Sequence, residues 1–264
     1  MKNQYFGDIN DYRKYGLLRA IAGPGRLRTA ICWALTESDG RTDGARTGYL
    51  QDPAEWAHYD PDLFCFLRRH VLGKGRRDVE VLERTSLIPN CSYFTERMPR
   101  EEQPRDQFFE RFLTFASDAD LLFFDPDNGL GVKSVPRGSR NSDKYVYVSE
   151  LQLAFSRGHS LLVYQHFPRS SRNMFINRIA QTVVPALGAN LVMSFATSHV
   201  VFLLFPQPDH LAELEDVASA LEERWTGQVR VGLNEPGRRG SRAGFPSWLC
   251  GKEATSAVPP LAAG

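Results

Sequence analysis

The chain has 264 residues, 42% of them hydrophobic and 24% charged, with a formal net charge of +1. This is globular composition with room for one large α/β domain or two small ones, and it excludes a strong global field that would steer the chain to nucleic acid or membrane. Cys32, Cys65, Cys91 and Cys250 are scattered without CxxC spacing, which argues against a zinc site or a disulfide framework, and no signal-peptide core or bilayer-length apolar run is present, so a soluble cytoplasmic protein is expected.

Residues 8–22 predict a helix, with Asp8 or Asn10 as its cap. Ile9, Tyr12, Leu17, Leu18 and Ile21 form its apolar side. Gly16 costs about 1 kcal/mol relative to alanine, so it marks either a close approach or a kink. Asn10, Asp11 and Lys14 make a polar set one turn across. It reads either as a solvated face with an Asp–Lys pair or as a functional group.

Residues 29–35 form an apolar run that predicts a buried strand, with Cys32 as a buried thiol. The polar loop 36–48 follows, in the place where α/β proteins bind a cofactor. Its glycines match neither GxGxxG nor a P-loop. Asp52-Pro53 and Asp60-Pro61 favour turns or helix starts. A helix is expected over 63–72, a short strand over 79–82, and a connection over 88–105 with one strand at 92–95. The phenylalanines of 107–116 cluster on one helical side and predict core packing.

Leu121 to Phe124 run apolar without alternation, the mark of a strand buried on both faces in a parallel sheet. Pro126 cannot join a ladder, so the strand ends there. Asp125, Asp127 and Asn128 therefore stand just past the carboxyl end of a central strand, where open α/β sheets bind ligands; a plain Asx turn is the bland alternative. The following loop 133–143 is polar and carries Lys133, Arg137 and Arg140, with Lys144 next. It suits phosphate contacts.

A short strand leading into a helix is expected over 145–155, and another buried strand over 160–164. Gln165, His166 and Phe167 stand at the end of that second strand. A helix over 173–187 precedes two strands, 191–195 and 199–205, read as an antiparallel pair on one sheet edge. A helix over 211–225 and a strand over 228–233 close the domain, which spans 1–233. Residues 234–264 are Gly-, Pro- and Arg-rich and read as a flexible tail. The alternation predicts a doubly wound, mostly parallel Rossmann-like sheet with a C-terminal antiparallel strand.

The order of these pieces resembles the bacterial ribosomal-RNA adenine methyltransferases of the RlmJ type, and more loosely the TcmP-type partner proteins. The resemblance runs through the Asn10, Asp11 and Lys14 helix, the strand and glycine-bearing loop of 29–48, Asp125-Pro126-Asp127-Asn128 in place of Asp-Pro-Pro-Tyr, and the strand ending at Gln165-His166-Phe167-Pro168. It implies an S-adenosylmethionine-dependent methyltransferase acting on a base amine of RNA or DNA. Asp125 would accept a hydrogen bond from the amine, with Asp127, Asn128 and His166 beside it. Because Asp127 and Asn128 cannot stack on a base, Tyr145, Tyr164, His166 or Phe167 would do so. Asn10, Asp11, Lys14, Glu37, Asp39 and Gly40 would hold the cofactor, with Lys14 on its carboxylate and Glu83 on its ribose. Arg137, Arg140, Lys144, Tyr164 and Phe167 would hold the substrate. A second reading has Asp39, Asp43, Asp125 and Asp127 bind magnesium or manganese in a phosphoesterase or nuclease, with His166 as acid or base and Lys144 on the phosphate. A third is a non-catalytic nucleic-acid binder.

Overall fold

The computed structural model describes residues 2–23, 25–36, 44 and 46–237. The strands in chain order are β1 (Thr29–Cys32), β2 (Cys91–Phe94), β3 (Leu121–Phe124), β4 (Gly129–Leu130), β5 (Tyr145–Val146), β6 (Ser160–His166), β7 (Val192–Ala196), β8 (Val200–Phe205) and β9 (Arg230–Asn234). The helices are α1 (Ile9–Ile21), α2 (Pro53–Trp56), α3 (Pro61–Arg68), α4 (Glu80–Glu83), α5 (Glu102–Phe115), α6 (Val148–Ser156), α7 (Arg172–Leu187) and α8 (Leu211–Arg224).

Seven strands form one sheet in the order β2-β1-β3-β6-β8-β7-β9, and β4 and β5 pair in a separate small ribbon. The first four strands of that order are parallel. β8 enters antiparallel beside β6, and β7 and β9 then alternate in direction. Only β8 and β9 oppose the rest, so the sheet is mostly parallel and Rossmann-like. The β7–β8 pair does not form the edge expected from sequence: β8 is buried along its whole length inside the sheet, and the edge is β9. Six consecutive apolar residues in β8 require cover on both faces, which an edge position gives less completely.

Alternation along β3 sends Leu121 and Phe123 to one face and Leu122 and Phe124 to the other. α1, α3 and α8 cover the first face and α5, α6 and α7 the second, so the sheet is wound on both sides. α1 begins at Asp8, whose side chain accepts from the Asn10 N–H at 2.9 Å and caps the helix. Gly16 is a point of close approach: a Cβ there would lie 2.2 Å from the Trp225 ring at the end of α8. That contact sets α1 against α8 and fixes how far the first helix reaches over the sheet.

Two expectations fail locally. Residues 79–82 are not a strand; Val79, Val81 and Leu82 are buried around the short helix α4. Four residues are too few for their spacing to separate a strand from a helical turn. The last strand reaches Asn234, one residue beyond the expected boundary, because Asn234 is buried against Val192 of β7. The expected tail falls outside the described residues from position 238 onward. Among the described residues, no helix is long and apolar enough to cross a membrane.

Candidate functional site

β1, β3 and β6 end side by side, and the residues just past those ends build the site. Asp125 continues the alternation of β3 onto the α1 face, and its N–H donates to the Cys32 carbonyl of β1 at 3.0 Å. From α1, the Lys14 ammonium donates to Asp125 Oδ2 at 2.7 Å. The same Nζ lies 2.7 Å from Asp11 Oδ1, and the Tyr15 hydroxyl donates to Asp11 Oδ2 at 2.9 Å. All three charged side chains are buried. Tyr15, Trp33 and Tyr164 surround the ammonium, with ring centroids 5.3, 5.7 and 5.5 Å from Nζ.

A buried ammonium is costly unless it is paired and hydrogen-bonded. Here the pairing wins. Burial pulls the Lys14 pKa down, yet the charges and hydrogen bonds of Asp11 and Asp125 carry it above its ordinary value. One cation cannot satisfy two carboxylates equally. Burial, with a smaller push from Asp125, lifts Asp11 to about 6 against the pull of Lys14. The cluster stands at the mouth of the central strands.

The Asp125–Gly129 turn is held from below. Gln165, at the end of β6, accepts from the Leu130 N–H at 2.8 Å and donates to the Asn128 carbonyl at 3.2 Å. Gly129 has a φ of +106°, and a Cβ there would meet Gln165 Oε1 at 2.3 Å. Only glycine combines that conformation with that approach. From sequence, Gln165 stands out only as a neighbour of His166. Its signal was the Asn-Gly step, which needs backing from another strand. Asp127 turns toward the end of β1, where the Thr36 hydroxyl donates to its Oδ2 at 2.8 Å and Lys2 Nζ lies 3.7 Å away. Burial raises its carboxyl, but neighbouring positive charge and the Thr36 bond outweigh this and hold it below the usual value. Asn128 donates its N–H to the Lys144 carbonyl at 2.9 Å, which brings half-buried Lys144 beside the turn.

Other expected site residues lie nearby in different roles. His166 is exposed at the end of β6, its Nε2 3.5 Å from the Tyr164 hydroxyl. Tyr164 is buried against Lys14, so it walls the cluster and offers no open stacking face. Phe167 is half-buried, with its ring under the Arg172 guanidinium at 5.2 Å. Asn10 is half-buried and accepts from Arg13 at 3.5 Å. Arg140 is exposed. Arg137 instead turns back to Glu150 of α6 and Asp106 of α5. Glu83 is on α4 rather than near a strand end, and accepts from the Trp33 indole at 2.9 Å. Glu37, Asp39, Gly40 and Asp43 lie outside the described residues. Among the described residues, no three His, Cys, Asp or Glu side chains stand where they could hold a metal ion.

The sequence also gave no hint of Ala34, which has a φ of +47° immediately past β1. A non-glycine residue rarely adopts that conformation, and such strain gathers at functional sites. Comparison with protein-family models, with curated proteins and with solved structures finds no match.

Proposed function

We propose that the chain is an S-adenosylmethionine-dependent methyltransferase acting on an amine of a nucleic-acid base, RNA or DNA. One observation carries this reading: Lys14 of the first helix and Asp125 at the end of the central strand, which the resemblance assigns to one site, meet at 2.7 Å across 111 positions of sequence. Two features support it. β8 stands antiparallel beside β6, the closing pattern of the methyltransferase variant of the doubly wound fold. Ala34 also holds a φ of +47° past the end of β1, at the strand ends where such folds take their ligands, before Leu35 pairs again with Arg97.

The described residues fit the cofactor in one respect and not in another. The strained backbone at Ala34, past the end of β1, fits the edge of a ligand crevice. Lys14 does not fit as the partner of the cofactor's carboxylate, because its ammonium is enclosed by Asp11, Asp125 and three rings. Its role is positioning. It fixes Asp125 Oδ2 and so sets the orientation of the carboxylate toward the turn. When bound, S-adenosylmethionine supplies an electrophilic methyl group. Asp125 accepts a hydrogen bond from the base amine and stabilises the positive charge that grows on its nitrogen. Gln165 and Gly129 hold the turn so that this acceptor does not wander.

The hydrolase reading is weaker at this site. The Lys14 ammonium already occupies the approach to Asp125 Oδ2, and a divalent cation there would meet a like charge. Calorimetry with S-adenosylmethionine and then with manganese, followed by transfer of labelled methyl groups to RNA and DNA, tests the choice. Cofactor binding and methyl transfer without added metal are expected. Absence of cofactor binding together with chelator-sensitive cleavage of nucleic acid would replace this reading by the hydrolase.

A further inference from the structure

Beyond His166, the same end of the sheet carries a group of arginines that the proposed chemistry leaves unused. β6 and β7 end here, and β8 and β9 begin here. Arg172 is the first residue of α7 and donates to the Ser198 carbonyl in the β7–β8 turn. Arg230 opens β9 opposite Ala196, the last residue of β7. Arg13 reaches from α1 to Gln228, two residues before Arg230. Arg46 joins the group through its backbone: its carbonyl accepts from the Ile9 N–H, and its own N–H donates to Asp8.

Three observations give this group a meaning beyond ordinary surface charge. First, Arg13, Arg46 and Arg172 make no ion pair among the described residues, although arginines elsewhere in the molecule do. Second, Arg13 is 8% exposed and its Nε has no hydrogen-bond partner, which leaves a buried donor unsatisfied. Third, Arg172 stands at the positive end of a sixteen-residue helix whose first turn has no acid and whose Ser171 makes no side-chain cap. A cation there opposes the helix dipole, whereas an anion is favoured. The exposed His199 imidazole, in the β7–β8 turn, is held below its ordinary value, by lost hydration first and then by Arg46, Arg13 and Arg172, against a smaller pull from Asp8.

We infer that Arg13, Arg46, Arg172 and Arg230 form a rim that binds the phosphodiester backbone of a nucleic acid and feeds it toward the Asp125 turn. The inference rests on the proposed reading for what lies in the turn, but binding by the rim is measurable without it. Phosphates neutralise the clustered positive charge, and arginine forks match their geometry. His166, at the end of β6, pairs with Val200 beside His199 and lies within reach of the field of Asp125.

The test is fluorescence anisotropy of the full chain with labelled twenty-nucleotide single-stranded RNA and DNA over a salt series. Arg46→Ala/Arg172→Ala removes two charges at positions that are not buried, so the fold is retained; circular dichroism checks this. Its affinity is expected to fall about tenfold or more at low salt, and the slope of log affinity against log salt to flatten by about 1.4, near 0.7 for each lost contact on a single strand. Arg46→Lys/Arg172→Lys should keep most of the slope. Arg28→Ala/Arg111→Ala, away from this end, should match the wild type. Wild-type protein that binds neither probe, or an alanine pair with unchanged affinity and slope, overturns the rim. Rim-dependent binding without methyl transfer leaves the rim standing and removes the methyltransferase reading. Methyl transfer with an unchanged KM in the alanine pair does the reverse.

Discussion

Among the described residues, two clusters of buried charge brace this molecule, and they stand at different places in the fold. On the α5 and α6 side, Arg105 is fully buried and uses all five of its donors. Two go to Glu150, and the others to the carbonyls of Pro99, Ser142 and Tyr145. Arg137 adds a second cation, and Asp106 a second anion. On the α1 side, Lys14 faces Asp11 and Asp125. The first cluster ties the loop after β4 to two helices. The second stands at the strand ends, where burial lifts Asp11 to about 6. A buried charge network away from the strand ends serves packing; one at the strand ends with a shifted carboxyl is where the proposed chemistry would lie.

The sharpest way to break the comparison is at Asp125. Asp125→Ala is expected to reduce methyl transfer by at least about a hundredfold, in line with loss of a preorganised electrostatic group. Asp125→Asn should keep a residue of activity, because an amide oxygen still accepts a hydrogen bond. Full activity in Asp125→Ala would reduce the second cluster to a structural one. Arg105→Ala tests the first cluster. It removes two of the hydrogen bonds to buried Glu150, leaving Arg137 as a cationic partner, and leaves the Pro99, Ser142 and Tyr145 carbonyls unsatisfied, so it should cost about 3–5 kcal/mol in urea unfolding, with little change in activity per folded molecule. Arg105→Ala/Glu150→Gln should recover part of that loss if the under-compensated Glu150 charge, and not the unsatisfied carbonyls, is the cause.

Gly129→Ala comes next. The added Cβ meets Gln165 and the residue must hold a φ of +106°, so a loss of about 1–3 kcal/mol is expected. Methylation should fall with it, because the turn carries Asp125. The pH dependence of stability separates the clusters more gently. The native state holds a proton on Asp11 up to about 6, whereas the unfolded chain releases it near pH 4. Stability from this group is therefore greatest below pH 4 and declines as pH rises to about 6. Asp11→Asn should flatten that decline in urea titrations across pH 4–6; an unchanged slope would assign it elsewhere. Arg140→Ala is the smallest change. Arg140 is exposed, and a shift within about 0.5 kcal/mol is expected.

Much of this was legible in the chain because it depends on neighbours in sequence. The unbroken run 121–124 gave β3 to the residue, since a strand covered on both faces has no polar side to alternate with. Asp8 as a helix cap, Pro126 as a strand stop and the phenylalanine side of α5 followed from equally local rules. The polar set on α1 was visible as residues but ambiguous as structure, because a helix turn looks the same whether its face meets water or a second carboxylate.

What the tertiary structure alone decided is which distant groups meet. Lys14 finds Asp125 because Gly16 lets α1 close onto Trp225 and so reach over the end of β3. The sequence places Arg105 in a connection, yet its five hydrogen bonds reach four residues in three separate stretches. Arg172 meets the β7–β8 turn at Ser198, and Arg230 stands opposite Ala196, although each is far from its partner along the chain. Capping, turn chemistry and apolar periodicity are set within a few residues, so composition and spacing carry them. Charge pairing across a sheet is set by how whole elements pack, and no spacing along the chain encodes it.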